Sequence, residues 1–181
     1  LVGEVMVKMG VIPVDMPGGD IYQALQKRTI DAAEWVGPYD DQKLGLNKVA
    51  PYYYYPGWWE GGLELAFLVH RKAYEVLPAD FKAIVKAASS VAHADMLAKY
   101  DALNPDALKQ LVVAKTKVLP FSSPVLDVAF RAAMEVFALN ESRSTQWKKI
   151  YADMRDFQRD QIFWFRFAEA RYDSFMSAQR I

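Results

Sequence analysis

Residues Pro51 to Gly62, PYYYYPGWWEGG, constrain this chain more than any other stretch, because six aromatics and one carboxylate, Glu60, are set between prolines and glycines. Four consecutive tyrosines suit an extended segment with alternating faces, and Pro56, Gly57, Gly61 and Gly62 punctuate it. The segment reads as one wall of a ligand pocket, or as a buried aromatic strand and turn. The remaining sequence decides between these.

A chain of 181 residues with 52% hydrophobic content can bury a core. Lys and Arg number 22, as do Asp and Glu, so no electrostatic footprint for nucleic acid or an anionic membrane is present. With no cysteine, disulfides, thiolate zinc sites and cysteine nucleophiles are excluded. No apolar run is long enough to span a bilayer. The opening LVGEVMVKMG has neither an initiator Met nor the layout of a signal peptide and reads like the middle of an element.

In chain order, Gly3 to Met9 suits a short helix closed by Gly10, and Val11 to Met16 is β-branched and extended. A turn at Pro17, Gly18 and Gly19 leads to a helix from Ile21 to Lys27, capped by Asp20; Thr29 to Val36 reads as a second strand. Strand, helix, strand predicts a parallel crossover. Pro38 opens a further helix, favoured by Asp40 and Asp41 through the macrodipole. Leu63 to Val69 reads as a strand buried on both faces. Pro78 opens a long helix that the pair Asn104 and Pro105 should kink or restart. Lys117 to Phe121 is a short strand candidate, Val125 to about Leu139 an amphipathic helix and Asn140 to Thr145 a linker. From Gln146 an apolar stripe runs to the C-terminus, with Ile162, Phe163 and Phe167 off it, so this helix should pack on another lobe or another chain.

The chain carries no Gly-rich phosphate loop, nucleophile elbow, HExxH or EF-hand pattern. His70 and His93 have no partner at ligand spacing and receive no role. What remains is a pair of carboxylates, Glu34 and Glu60, each beside tryptophan. Glu34 alone would pass for a solvated strand-end carboxylate. Two acids sharing one aromatic pocket need a cation, an arginine or a proton. Sodium or calcium suits carboxylate and carbonyl oxygens, with an anionic ligand completing the shell. The rival use is glycoside hydrolysis with the two glutamates as acid and nucleophile or base. A non-catalytic interaction module with a purely structural aromatic core is the third option.

The run GGDIYQALQKRTIDAAEWVGPYDDQKLGLNKVAPYYYYPGWWEGG, Gly18 to Gly62, closely resembles the solute-binding receptors of tripartite ATP-independent periplasmic (TRAP) transporters, in the branch that binds α-keto and related monocarboxylic acids. DAAEWVGPYDD and YYYYPGWWEGG are its specific elements; Asn104-Pro105, Pro120-Phe121 and the YDSF from Tyr172 extend the likeness more weakly to the C-terminus. The resemblance implies an α/β, periplasmic-binding-protein-like architecture of two lobes with long bracing helices, and a protein that binds an acid without chemistry. It implies that Glu34 gives a carboxylate to a bound cation and Trp35 a backbone carbonyl, that Glu60 gives a further carboxylate or pocket contact, and that Trp59 is an aromatic wall.

Residues 1–50 would then be part of one lobe, 51–77 the aromatic crossover and strand, 78–116 the bracing helix and 117–181 a strand and helices packing across lobes. The family's substrate-reading arginine lies in a KMRI-like segment upstream of the equivalent of Leu1, so that role passes to no arginine here, and the chain resembles the C-terminal half of a receptor about twice as long. The expected partners are a small 2-oxo or 2-hydroxy carboxylate, a membrane permease and, through the last helix, a second copy of the chain; the expected compartment is the periplasm.

Overall fold

The computed structural model describes residues 1–59 and 65–179. They divide into two compact units, one of residues 12–126 and one of residues 1–11 with 127–181.

In the first unit, α2 (Gly18–Gln26) begins two residues before the expected cap: Pro17 is its N-cap, and Asp20 sits in its first turn, where a negative charge favours the helix dipole. Its buried residues, Ile21 and Leu25, are four apart and share one face. Helix α3 (Pro38–Lys43) has Pro38 at its first position, as expected, and is followed by a 3₁₀ turn at Leu46–Lys48. Strand β1 (Tyr52–Tyr55) pairs in parallel with β2 (Lys117–Pro120), Tyr53 opposite Val118. Between them come α4 (Arg71–Glu75) and the 35-residue α5 (Ala79–Val113).

Three sequence expectations fail here. Val11 to Met16 and Thr29 to Val36 join no ladder among the described residues, so the parallel crossover between them is not formed. Of Leu63 to Val69, residues 63 and 64 lie outside the description. The remainder pairs with nothing described and is exposed, Leu68 by 88%. The physical reason is common to all three: β-branched and apolar residues favour extended backbone, but a strand also needs a partner to take its N–H and C=O groups.

The pair Asn104-Pro105 neither caps nor restarts a helix. α5 runs through it, although Pro105 has no N–H to offer the Asp101 carbonyl. Asn104 is spent on another helix: its Oδ1 accepts the Tyr39 N–H at 3.1 Å and so caps α3, whose own N-cap residue, Gly37, has no side chain to do it. The same part of α5 supplies Tyr100, whose hydroxyl donates to Asp40 at 2.5 Å, and Gln110, which accepts from Gln42. Ala107 and Leu111 are buried alongside. Burying Leu111 contributes about 2–3 kcal/mol. The amino-terminal half of α5 is different, since Phe81, Ile84 and Val91 are all exposed.

In the other unit, α1 (Val2–Lys8) is followed by Gly10 at φ +80°, a left-handed geometry that glycine adopts without strain. Lys8 Nζ lies 2.7 Å from Glu135 of α6 (Ser123–Arg143). The expected linker from Asn140 is mostly helix: α6 continues to Arg143, and Ser144 alone interrupts, capping α7 (Thr145–Phe165) by accepting the Trp147 N–H. The Asn140 side chain donates to the Val136 carbonyl, which keeps this turn-favouring residue in helical geometry. Val5, Ala129, Ala132, Val136 and Tyr151 form the small core, and Phe137 meets the Tyr151 ring at 4.9 Å. Helix α7 passes through a π-helical turn (Arg166–Ala170) into α8 (Arg171–Ser177). Phe163, Phe167, Tyr172 and Phe175 along this stretch are exposed. No helix among the described residues is long and apolar enough to cross a membrane.

Candidate functional site

Glu34 and Trp35 lie on the irregular segment between α2 and α3, not at the end of a strand. Two contacts fix that segment. The Trp35 indole lies against Gly18, the first residue of α2, so closely that a Cβ there would overlap its six-membered ring. On the other side the Val36 N–H donates to Asp41 Oδ1 at 3.3 Å. Trp35 remains 40% exposed, so its ring is held by one edge and presents the rest.

Asp41 is the buried polar centre of this region. Its other oxygen accepts the Tyr53 hydroxyl at 2.6 Å, which ties α3 to β1. Burial raises the Asp41 carboxyl above its ordinary range, with the Asp40 charge adding to it, while the Tyr53 hydroxyl and the Val36 and Gly37 backbone oppose the rise. The Tyr53 phenol is pushed up strongly by burial and by donating to Asp41, so it stays protonated. Asp40 likewise raises Tyr100 through their hydrogen bond.

The aromatic segment divides its faces. Tyr53 is half-buried on Asp41. Tyr52 turns outward beneath Lys117, whose Nζ sits 5.0 Å from the ring centre. Tyr54 stacks on Phe121 at 5.1 Å, and Phe121 also meets Trp59 at 6.3 Å; Trp58 stands edge-on to Trp59. Trp59 is therefore placed by a residue that immediately follows β2. Glu60 lies outside the described residues. Glu34, Trp35 and Trp59 thus belong to one unit, tied through Val36, Asp41 and Tyr53 on one side and through Tyr54 and Phe121 on the other.

Asp41, Tyr53, Tyr100 and Asn104 were not legible as site-building residues. The sequence offered Asp40 and Asp41 as dipole partners of α3 and Tyr53 as one of four equal tyrosines. A signal did exist: an acidic residue five positions after Val36, followed by an aromatic strand with one inward face.

The donors fit a hard cation by their chemistry, being carboxylate and peptide oxygens without sulfur or imidazole. Among the described residues no group of three or more His, Asp or Glu could hold a metal. A cation held by the described residues alone would need backbone carbonyl oxygen as well as carboxylates.

The described residues combine long helices with a two-stranded parallel sheet, and one unit gathers Glu34, Trp35 and an aromatic cluster around Phe121. Residues 1–143 match DctP, the bacterial extracellular solute-binding protein family 7, and the chain belongs to that family. It is 43% identical over 178 residues to the monocarboxylate 2-oxoacid-binding periplasmic protein all3028 of Nostoc sp., covering 98% of this chain and 49% of that protein. Among solved structures it is similar to a TRAP transporter solute-binding protein of Bordetella bronchiseptica RB50, a mixed-occupancy dimer with calcium and picolinate in one site (46% identity, TM-score 0.95, covering 98% of this chain and 53% of that one). It is also similar to a TRAP periplasmic solute-binding protein of Pseudoalteromonas atlantica with bound sodium and pyruvate (35% identity, TM-score 0.90, covering 99% and 54%). The chain spans about half the length of these relatives.

Proposed function

We propose that the protein captures a small 2-oxo or 2-hydroxy monocarboxylate in the periplasm, through a bridging sodium or calcium ion, and delivers it to the membrane permease of a TRAP transporter. The observation that carries this reading is the fixed Glu34-Trp35 segment, held between Gly18 and Asp41 in a chain whose relatives bind 2-oxoacids or hold a cation beside pyruvate or picolinate.

In this reading Glu34 and Glu60 supply carboxylate oxygens and Trp35 its peptide carbonyl, while Trp35 and Trp59 wall the acid. The cation supplies charge neutralisation, so that an anionic ligand can lie beside two glutamates in a partly apolar pocket. Ligand contact across two lobes would shift the population toward a closed form that the permease recognises. No bond is made or broken in this cycle, and the protein acts as a receptor rather than an enzyme. Glu34→Gln and Glu60→Gln are each expected to weaken pyruvate binding at least tenfold in titration calorimetry with calcium present. Unchanged affinity in both variants would remove these two residues from the site.

The exposed aromatics of α7 and α8 support a second element, a homodimer through the last helix. Light scattering that returns a monomer throughout the micromolar range would refute it.

A further inference from the structure

We propose that Asp41 and Tyr53 are positioning residues for the cation site: Asp41, tethered by the Tyr53 hydroxyl, holds the Val36 N–H and thereby orients the Trp35 carbonyl as an oxygen donor. This rests on the reading of Trp35 as a cation ligand. Val36 N and the Trp35 carbonyl belong to one peptide unit, which is planar and trans, so its N–H and C=O point in opposite directions. Fixing the N–H on Asp41 fixes the direction of the oxygen, away from α3. A carboxylate on the N–H also polarises the amide and adds negative character to that oxygen, which strengthens it toward a cation. Among the described residues no hydrogen bond ends on the Trp35 carbonyl.

The support behind Asp41 is rigid. Helix α3 is capped by Asn104 and joined to α5 through Tyr100 and Gln110, and Tyr53 sits within the β1–β2 pair. A buried carboxylate that only joined α3 to β1 would need Tyr53 alone. Its second oxygen is turned instead on the N–H of the same peptide whose carbonyl is the candidate ligand. Residues that orient a metal ligand in this way are typically worth about 10–100-fold in affinity.

The test is calcium binding alone, without organic acid, to the full chain and to Asp41→Asn and Tyr53→Phe, by calorimetry and by the carbonyl ¹³C shift of Trp35. Asp41→Asn keeps the shape but turns an amide NH₂ toward either Val36 N–H or the Tyr53 hydroxyl. It is expected to weaken calcium about tenfold or more and to reduce the Trp35 carbonyl response. Tyr53→Phe leaves the Val36 contact but frees the carboxylate, and a measurable loss smaller than that of Asp41→Asn is expected. A folded Asp41→Asn protein with wild-type calcium affinity and carbonyl response overturns the inference. Should that variant not fold, wild-type affinity in Tyr53→Phe overturns it equally. Wild-type protein that binds neither calcium nor sodium fails the cation reading itself, a result distinct from either variant outcome.

Discussion

Gly18 has no room for a side chain, because the Trp35 ring occupies the space that a Cβ would take. Gly18→Ala is therefore expected to swing the half-exposed indole away at a stability cost of about 1 kcal/mol, the low end for overpacking. Tryptophan fluorescence should shift and pyruvate affinity should fall; an unchanged spectrum and affinity would show that this contact does not position Trp35. Asp41 makes a pH prediction. Its folded carboxyl holds a proton more tightly than the ordinary 3.8, because burial outweighs its hydrogen bonds. The stability it contributes is present below 3.8 and is lost as pH rises through the raised folded value. Wild-type stability minus that of Asp41→Asn, from urea unfolding at a series of pH values, should decline across that window. A difference that rises with pH would reverse the assigned sign.

At the scale of elements, Asn104 is the informative case. Its side chain caps α3 from a helix that begins 41 residues after α3 opens. Asn104→Ala should cost about 1 kcal/mol and speed hydrogen exchange at the Tyr39 amide, leaving the β1–β2 amides unaffected. Equal acceleration everywhere would mean that α3 and the sheet unfold as one and that no local cap is being read. The same residue marks where sequence reading succeeds and stops. Proline and glycine placed the starts of α3 and α5 and the end of α1, since those are local backbone constraints. The β2 strand was visible in its own residues, and the residues proposed for the site, Glu34, Trp35 and Trp59, stood out by type. Pairing was not visible: Val11 to Met16 and Thr29 to Val36 have strand composition, yet a ladder depends on a second segment that composition does not name. Asn104 next to a proline gives a helix-start signal that tertiary demand overrode, and Asp41 reads only as a helix-dipole partner until Tyr53 and Val36 are brought to it.

For the whole molecule, membership of the solute-binding family supports the proposal of a receptor, and the cation between two glutamates and the acid is the part of that proposal still to be measured. The exposed Phe163, Phe167, Tyr172 and Phe175 belong at this scale too, as the basis of the proposed dimer. The central claim is tested most directly by calorimetric titration of the full chain with pyruvate, in buffer with sodium, with calcium, and with both removed by chelation and exchange. Saturable binding is expected with sodium or calcium present, and at least a tenfold loss without them. Pyruvate binding of equal strength without either cation, or no binding in any of the buffers, would contradict it.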